Sequence, residues 1–325
     1  MTDTMTAWTQ DVYGGPDVVQ PREVPVPTPG AGEVRIDIAA TALNSADVRI
    51  MRGEPLIVRA AFGLTRPKTP VPGRDVAGRV AALGPDVTGF RVGDRVVGEL
   101  PGGGLAASVV ARAASLVAIP DGVSDETAAA LPLAGGTAWQ ALEKAAVERG
   151  DRVLVLGAGG GVGLYVVRLA ALRGAHVHAL TRPDAMDAAA AQGAAETGDR
   201  DQNLATWSPD AWDAIIVLGG DAPLPVLQRL LRDGGTIVSV SGGTGRVLGP
   251  LGRMLHGAIR SNRRRRIRAL AATAKPEVAE RLLHLAADGQ LRPHISATWP
   301  RSRAGAALRA MDAGGVTGKL VVTAE

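Results

Sequence analysis

The stretch RVLVLGAGGGVGLYVVRLA, residues 152–170, constrains the chain more than any other. A short continuous apolar run reads as a strand buried on both faces. It leads directly into a glycine cluster and then a helical pattern with Val162, Val166, Leu169 and Ala170 on one side. Ala158, Gly160 and Gly163 have the spacing of a dinucleotide fingerprint, with alanine in the first position. Glycines let the backbone turn sharply and approach a pyrophosphate, while the free amides at the helix start attract its charge. The alternative is a glycine-rich turn that only packs the helix close to the strand.

The chain beyond this helix repeats the theme. AHVHALT, DAIIVLGG and GTIVSVSGG read as further buried strands, separated by the helical runs DAMDAAAAQGA and PLPVLQRLLRDG. Strand and helix alternating at this spacing imply a parallel sheet with right-handed crossovers. The second strand ends HALTRPDAM, placing Thr181 and Arg182 where an acid would bind the ribose hydroxyls of NAD. A hydroxyl and a guanidinium suit a 2′-phosphate, so the pattern favours NADPH. In the competing reading Arg182 is solvated and Asp184 caps the next helix.

The first ~125 residues differ in character. GEVRIDIAATAL alternates like a half-buried strand, and DVAGRVAALG and RVGDRVVGEL read similarly between Gly and Pro turns. This half reads as a compact β-barrel or sandwich. Ser124 followed by Asp125 and Glu126 opens a helix, and PEVAERLLHLAADG is another. LRPHISATWP and GKLVVT return to β character, so the last ~35 residues are expected to rejoin the first half.

Composition removes several classes. The 325 residues include no cysteine, which excludes disulfides, iron–sulfur clusters and thiol nucleophiles. His176 and His178 share one face of a strand expected to be buried, and no third ligand stands near them in sequence, so no metal is expected. The net charge is +4, and the only dense basic spot is Arg263 to Arg266 with Arg268. Aromatics make up 3%, too few for a base-stacking surface, so no nucleic acid is expected. The first residues carry no apolar signal core and no run is long enough to span a bilayer, so a cytoplasmic location and no membrane partner are expected.

The order of parts resembles the zinc-free medium-chain dehydrogenases/reductases of the quinone-oxidoreductase-like group, nearly end to end. The resemblance rests on VYGGPDVV, ALNSADVRIMRG, VPGRDVAGRVAALGPDVTGFRVGDRVVG, LPLAGGTAWQAL and the closing GKLVVT. It implies a Rossmann-type, doubly wound parallel sheet (residues 126–288) inserted into a GroES-like β-barrel catalytic domain (residues 1–125 and 289–325). It also implies that Asn44 and Thr137 face the nicotinamide or substrate, with Arg49 where some relatives have a pocket tyrosine. Gly160, Gly161 and Val162 would meet the pyrophosphate beside Gly159, where many relatives have serine. Thr181, Arg182 and Arg200 would meet the adenosine phosphate. Ser241 and Gly242 would sit beside the nicotinamide, and Lys319 would make a phosphate or amide contact.

Zinc-dependent relatives carry a catalytic histidine in a G-H-E unit. The matching residues here are Gly73-Arg74-Asp75. Without a Lewis acid to polarise a carbonyl, hydride delivery to an activated C=C or a quinone is favoured over alcohol oxidation. The resemblance thus implies NADPH-dependent reduction of a small enone, quinone or ketone, with a tailoring step in bacterial secondary metabolism suggested by the Ala-, Arg- and Gly-rich composition. A metal-free carbonyl reductase and a non-catalytic cofactor-fold binding protein stay open as alternatives. Tyr13 and Tyr165 are the only tyrosines, and neither is placed as an obvious proton donor. The arginine run is expected to be an edge strand near residues 263–270, with Arg263 and Arg265 on one face and Arg264 and Arg266 on the other, available to a homodimer.

Overall fold

Residues 3–240 and 251–325 are described by the structure, a computed structural model. They fall into two units, residues 1–136 with 274–325 and residues 137–273.

The second unit is built on the glycine-loop strand. Its strands are β8 (Arg152–Leu156), β9 (His176–Thr181), β10 (Glu196–Asp199), β11 (Trp212–Val217), β12 (Leu231–Ser239) and β13 (Arg266–Ala269). Its helices are α5 (Gly161–Leu172), α6 (Met186–Ala191), α7 (Leu224–Leu230) and α8 (Leu251–Arg260). The sheet runs β10-β9-β8-β11-β12-β13 and every pairing is parallel. That is the doubly wound order, with a crevice where the chain turns from one half of the sheet to the other, between β8 and β11. The apolar runs explain the centre: Leu154, Ile215, Ile216 and Ile237 are wholly buried, and β11 is buried along its length. Each such side chain contributes roughly 1.5–3 kcal/mol by leaving water.

Both edges of this sheet differ from the sequence reading. β10 is a short polar strand, ETGD, with no apolar alternation to announce it. At the other edge the arginine run is not one strand. Arg263–Arg265 form a bend in which the amides of Arg264 and Arg265 donate to Asn262 Oδ1 at 3.0 and 2.8 Å, and β13 begins only at Arg266. The expected alternation across four arginines therefore fails, because the Asn262 side chain turns the backbone first. Arg265 pairs with Asp210 and donates to Gln228 O, Arg266 donates to Gly234 O, and Arg268 donates to Lys144 O. These three arginines tie the sheet edge to its neighbours.

In the first unit β1 (Thr4–Thr9) and β2 (Gln20–Pro25) form a hairpin-like pair. The main sheet contains β3 (Glu33–Leu43), β4 (Asp75–Leu83), β5 (Arg95–Glu99), β6 (Ser108–Arg112), β7 (Val117–Ala118), β14 (Ile295–Pro300) and β15 (Lys319–Thr323). Its order is β14-β15-β3-β4-β5-β7, with β6 on β3. Leu320 pairs with Leu43 across an antiparallel ladder, which fastens the C-terminal strand to β3. The alternation of GEVRIDI is realised: Val34, Ile36 and Ile38 point into a core with Val76, Val80 and Val96.

The helices of this unit are α1 (Ser45–Arg52), α2 (Val58–Phe62), α3 (Asp125–Ala130), α9 (Pro276–Ala287) and α10 (Ala304–Ala313), while α4 (Pro132–Ala145) begins here and ends in the second unit. Ser124 caps α3 as its sequence suggests, accepting from Thr127 N at 3.2 Å. Asn44 caps α1, its amide donating to Asp47 Oδ2 at 2.8 Å.

Candidate active site

In the second unit a cavity of about 650 Å³ opens at the carboxyl ends of β8, β9 and β11, lined by Gly157, Leu180, Arg200, Asn203, Gly219 and Asp221 among others. Open parallel sheets bind ligands at this place, and the volume suits a nucleotide. Gly160 is the N-cap of α5, so the amides of Gly161 and Val162 belong to the first turn, whose N–H groups have no partner within the helix. The glycines are there for close approach. A Cβ on Gly163 would lie 2.4 Å from Gly157 O and 2.5 Å from Ala158 O. One on Gly159 would lie 2.3 Å from Thr181 Oγ1 and 2.5 Å from Ala185 Cβ. Gly159, where many relatives have serine, therefore lets β9 come close to the loop.

Thr181 is buried at the end of β9, and its carbonyl accepts from Arg200 N at 2.8 Å. That bond brings Arg200 beside Thr181 across the β9–β10 pair. Arg182 is half-buried and pairs with Asp184 at 3.4 Å. Asp184 lies inside a short 3-10 turn, Pro183–Ala185, whose N-cap is Arg182 itself, so the capping role considered for Asp184 is not the one it has. Arg182 follows Thr181 in the chain, and Arg200, whose side chain lies 3.8 Å from Asp201, has its backbone amide on the Thr181 carbonyl. The residues fit a dinucleotide: a cavity of suitable size at the carboxyl ends of the strands and a glycine loop under a helix start.

The first unit holds a different constellation. Asn44, Asp47, Asp75 and Lys319 are all buried, and they converge from β3–α1, β4 and β15. Asn44 Nδ2 donates to Asp75 Oδ2 at 2.9 Å and to Ala42 O at 3.1 Å. Lys319 Nζ donates to Asn44 Oδ1 and lies 3.6 Å from Asp75 Oδ2. Leu133 N donates to Asp75 Oδ1 at 2.9 Å. Alongside, Arg74 pairs with Glu99 at 2.8 Å and donates to Leu100 O at 3.2 Å. Burial is the largest influence on every shifted group here. It pushes Asp47 up to about 6, with Asp75 adding to the shift and the Asn44 amide opposing it. It pushes Glu99 up to about 7, again helped by Asp75 and opposed by Arg74. It raises Asp75 against the pull of Lys319 and lowers Lys319 against the pull of Asp75.

The remaining expected residues are scattered. Arg49 is exposed on α1, and Thr137 is buried in α4. Ser241 and Gly242 lie outside the described residues. Lys319, expected on a phosphate or amide, has its ammonium on the amide oxygen of Asn44 and on Asp75. His176 is exposed and His178 half-buried, so their shared face is more open than a fully buried strand would be. His178 pairs with Glu196 and stacks near Trp207 and Trp212. Sequence reasoning missed Glu99, Asn203 and the Gly219–Asp221 loop. The last had a readable signal, a Gly-Gly turn directly after a buried strand. Glu99 had none, because only the sheet register brings it beside Asp75.

A zinc ion does not fit the residues of the first unit. The chain has no cysteine, and among the described residues no group of three His, Cys, Asp or Glu side chains is arranged to hold a metal. The place corresponding to the zinc relatives' histidine is Arg74, a cation already paired with Glu99. Among the described residues no helix is long and apolar enough to cross a membrane.

Known proteins resemble the chain throughout. Residues 30–121 match the family profile of the alcohol dehydrogenase GroES-like domain, and residues 192–322 match that of the zinc-binding dehydrogenases. A chloroplast envelope quinone oxidoreductase homolog from Arabidopsis thaliana is 32% identical, covering 95% of this chain and 95% of its own length. The quinone oxidoreductase of Coxiella burnetii has a structure similar at a TM-score of 0.84 with 29% identity, covering 99% of this chain and 100% of that one. The CurK enoyl reductase superposes equally well, at a TM-score of 0.84 with 25% identity, over 99% of this chain and 100% of that one.

Proposed function

The chain belongs to the quinone-oxidoreductase-like medium-chain dehydrogenases/reductases, nicotinamide-dependent oxidoreductases, and from that premise we propose that it reduces an activated C=C bond or a quinone of a small molecule with NADPH, without zinc. When bound, the cofactor supplies a hydride. The amides of Gly160, Gly161 and Val162, beside Gly159, hold its diphosphate. Thr181, Arg182 and Arg200 hold the adenosine 2′-phosphate. Asn44 is the residue of the first unit proposed to face the substrate.

The observation that carries the metal-free reading is the Arg74–Glu99 pair in place of a zinc-binding histidine. With no Lewis acid, the acceptor must already be electron-poor, as enones and quinones are. The oxyanion formed as hydride arrives then needs hydrogen-bond donors rather than a metal. A tailoring reduction in bacterial secondary metabolism belongs to the same proposal, as does a homodimer formed through the exposed edge of β13.

The test is a panel of enones, quinones and simple ketones with NADPH. Consumption of NADPH with enones or quinones, and saturated-ketone or quinol products by NMR, is expected. Alcohol products from simple ketones would favour a carbonyl reductase. NADPH binding without turnover of any acceptor would favour a binding protein.

A further inference from the structure

Two members of the arginine run have no place in the packing. Arg265, Arg266 and Arg268 hold the sheet edge, but Arg263 is exposed and makes no hydrogen bond or ion pair among the described residues. Arg264 Nε lies 3.9 Å from Asp233 Oδ2, with its side chain 82% exposed. That is too far for a hydrogen bond, and an exposed pair of this kind contributes little to stability.

The backbone beneath these two side chains is fixed. Asn262 Oδ1 accepts from the amides of Arg264 and Arg265, and Asn262 N donates to Arg265 O at 3.3 Å. Ser261 Oγ accepts from Ile267 N at 3.0 Å, which closes the bend at its base. Gly234 N donates to Arg264 O and Arg266 donates to Gly234 O, so the bend is fastened to β12. The Arg265 guanidinium is held by Asp210 and by Gln228 O. Arg263 and Arg264 therefore stand on a preorganised support, which lowers the ordering cost of binding.

The bend lines an open depression of about 400 Å³, formed by Asn262, Arg263, Arg264 and Arg265 with one carboxylate, Asp233. Arg263 to Arg266 are four cations, and Asp210 and Asp233 are the two carboxylates paired with them, which leaves two positive charges. The bend precedes β13, so it stands at the amino ends of the parallel strands. The dinucleotide cavity opens at their carboxyl ends, so the two are separate places on one sheet.

The guanidinium fork matches phosphate oxygens two at a time, and a di- or triphosphate packs several charges close together. Such a ligand can neutralise the excess charge within a depression of this size. A nucleic-acid backbone fits less well, because Asp210 and Asp233 stand beside the arginines and repel a strand running past them. An acidic peptide spreads its charge over successive side chains and needs a longer positive face.

We propose that the Arg263–Arg265 bend is an anion site separate from the dinucleotide cavity, that it takes a small molecule bearing a di- or triphosphate, and that Arg263 and Arg264 are its donors. The site is independent of the oxidoreductase reading above.

The probe is inorganic tripolyphosphate, titrated calorimetrically into the full-length protein at about 0.15 M salt. The wild type is expected to bind it. Arg263→Ala combined with Arg264→Ala should bind at least about tenfold more weakly and melt as the wild type does, since neither side chain packs. Tripolyphosphate held at the glycine loop would bind both proteins alike, because neither arginine lines that cavity. Arg263→Lys with Arg264→Lys keeps the charge but loses the fork, and its affinity should fall between the two. No binding by the wild type, equal affinity in the alanine variant, or a lysine variant as tight as the wild type overturns the proposal. A short DNA duplex or polyglutamate that binds more tightly than tripolyphosphate, and is lost in the alanine variant, overturns the choice of ligand. An alanine variant that changes oligomer mass and leaves the affinity unchanged assigns the two arginines to a subunit contact instead.

Discussion

Gly159→Ser restores the hydroxyl that many relatives carry in the glycine loop, and the structure says that here it harms. The new Cβ would lie 2.3 Å from Thr181 Oγ1 and 2.5 Å from Ala185 Cβ, far inside ordinary contact. Thr181 is 3% and Ala185 0% exposed, so neither can step aside into solvent. Overpacking of this kind costs about 1–3 kcal/mol. For a chain of this size the melting temperature should drop by roughly 2–4 °C per kcal/mol. The same displacement moves Thr181 and Arg182, so NADPH affinity should fall as well. Gly160→Ser is the control. Gly160 is an N-cap with φ −75° and ψ 171°, and its Cβ would meet only Gly157 O at 3.8 Å. Serine is a good residue at such a position, so stability should stay within about 0.5 kcal/mol. Its side chain would nonetheless stand where the diphosphate approaches, so NADPH should bind at least about tenfold more weakly. Thermal melts with and without NADPH, with Kd by calorimetry, separate the two effects. A Gly159→Ser protein that melts like wild type and binds NADPH more tightly would refute the packing argument.

The same geometry sets three further outcomes. Arg182→Ala should weaken NADPH by about 10- to 100-fold, the worth of a charged hydrogen bond of about 1.5–3 kcal/mol, and leave NADH unchanged; calorimetry with both cofactors checks it, and equal losses would contradict it. Lys319→Met leaves three buried carboxylates with one cation, so urea unfolding should show a loss of about 3–5 kcal/mol at neutral pH that shrinks on acidification, as the carboxylates protonate. In the wild type, Glu99 goes from 4.5 when unfolded to about 7 when folded, so the folded state binds more protons between those values. Stability should therefore fall as pH rises from about 4.5 to about 7 and level off above, and Glu99→Gln should flatten that slope in a urea series.

The second unit was legible because its signals are local. A buried strand, a glycine loop and a helix are contiguous in RVLVLGAGGGVGLYVVRLA, and the parallel order comes from strand and helix alternating along the chain. Its edges were not, since β10 is four polar residues and Asn262 bends the arginine run before the strand begins. In the first unit the residue types were visible but their company was not. Asn44, Asp47, Arg74 and Asp75 stand in motifs that sequence can pick out. Lys319 reaches Asn44 from 275 residues away, and Glu99 reaches Asp75 through the register of β4 and β5. Long-range pairing of that kind leaves no trace in local periodicity. The meaning of Gly159 was also hidden, because its reason is the nearness of Thr181 and Ala185 rather than any contact with a ligand.

The central claim is a zinc-independent, NADPH-linked reduction of an electron-poor acceptor. Its most direct test tracks NADPH absorbance in chelator-treated protein given an enone or a quinone, with NADH in parallel. Consumption is predicted to survive chelation unchanged and to be at least about tenfold more efficient with NADPH than with NADH, as one charged phosphate contact supplies. Activity that disappears with the chelator and returns with added zinc, or no consumption with any acceptor, would contradict it.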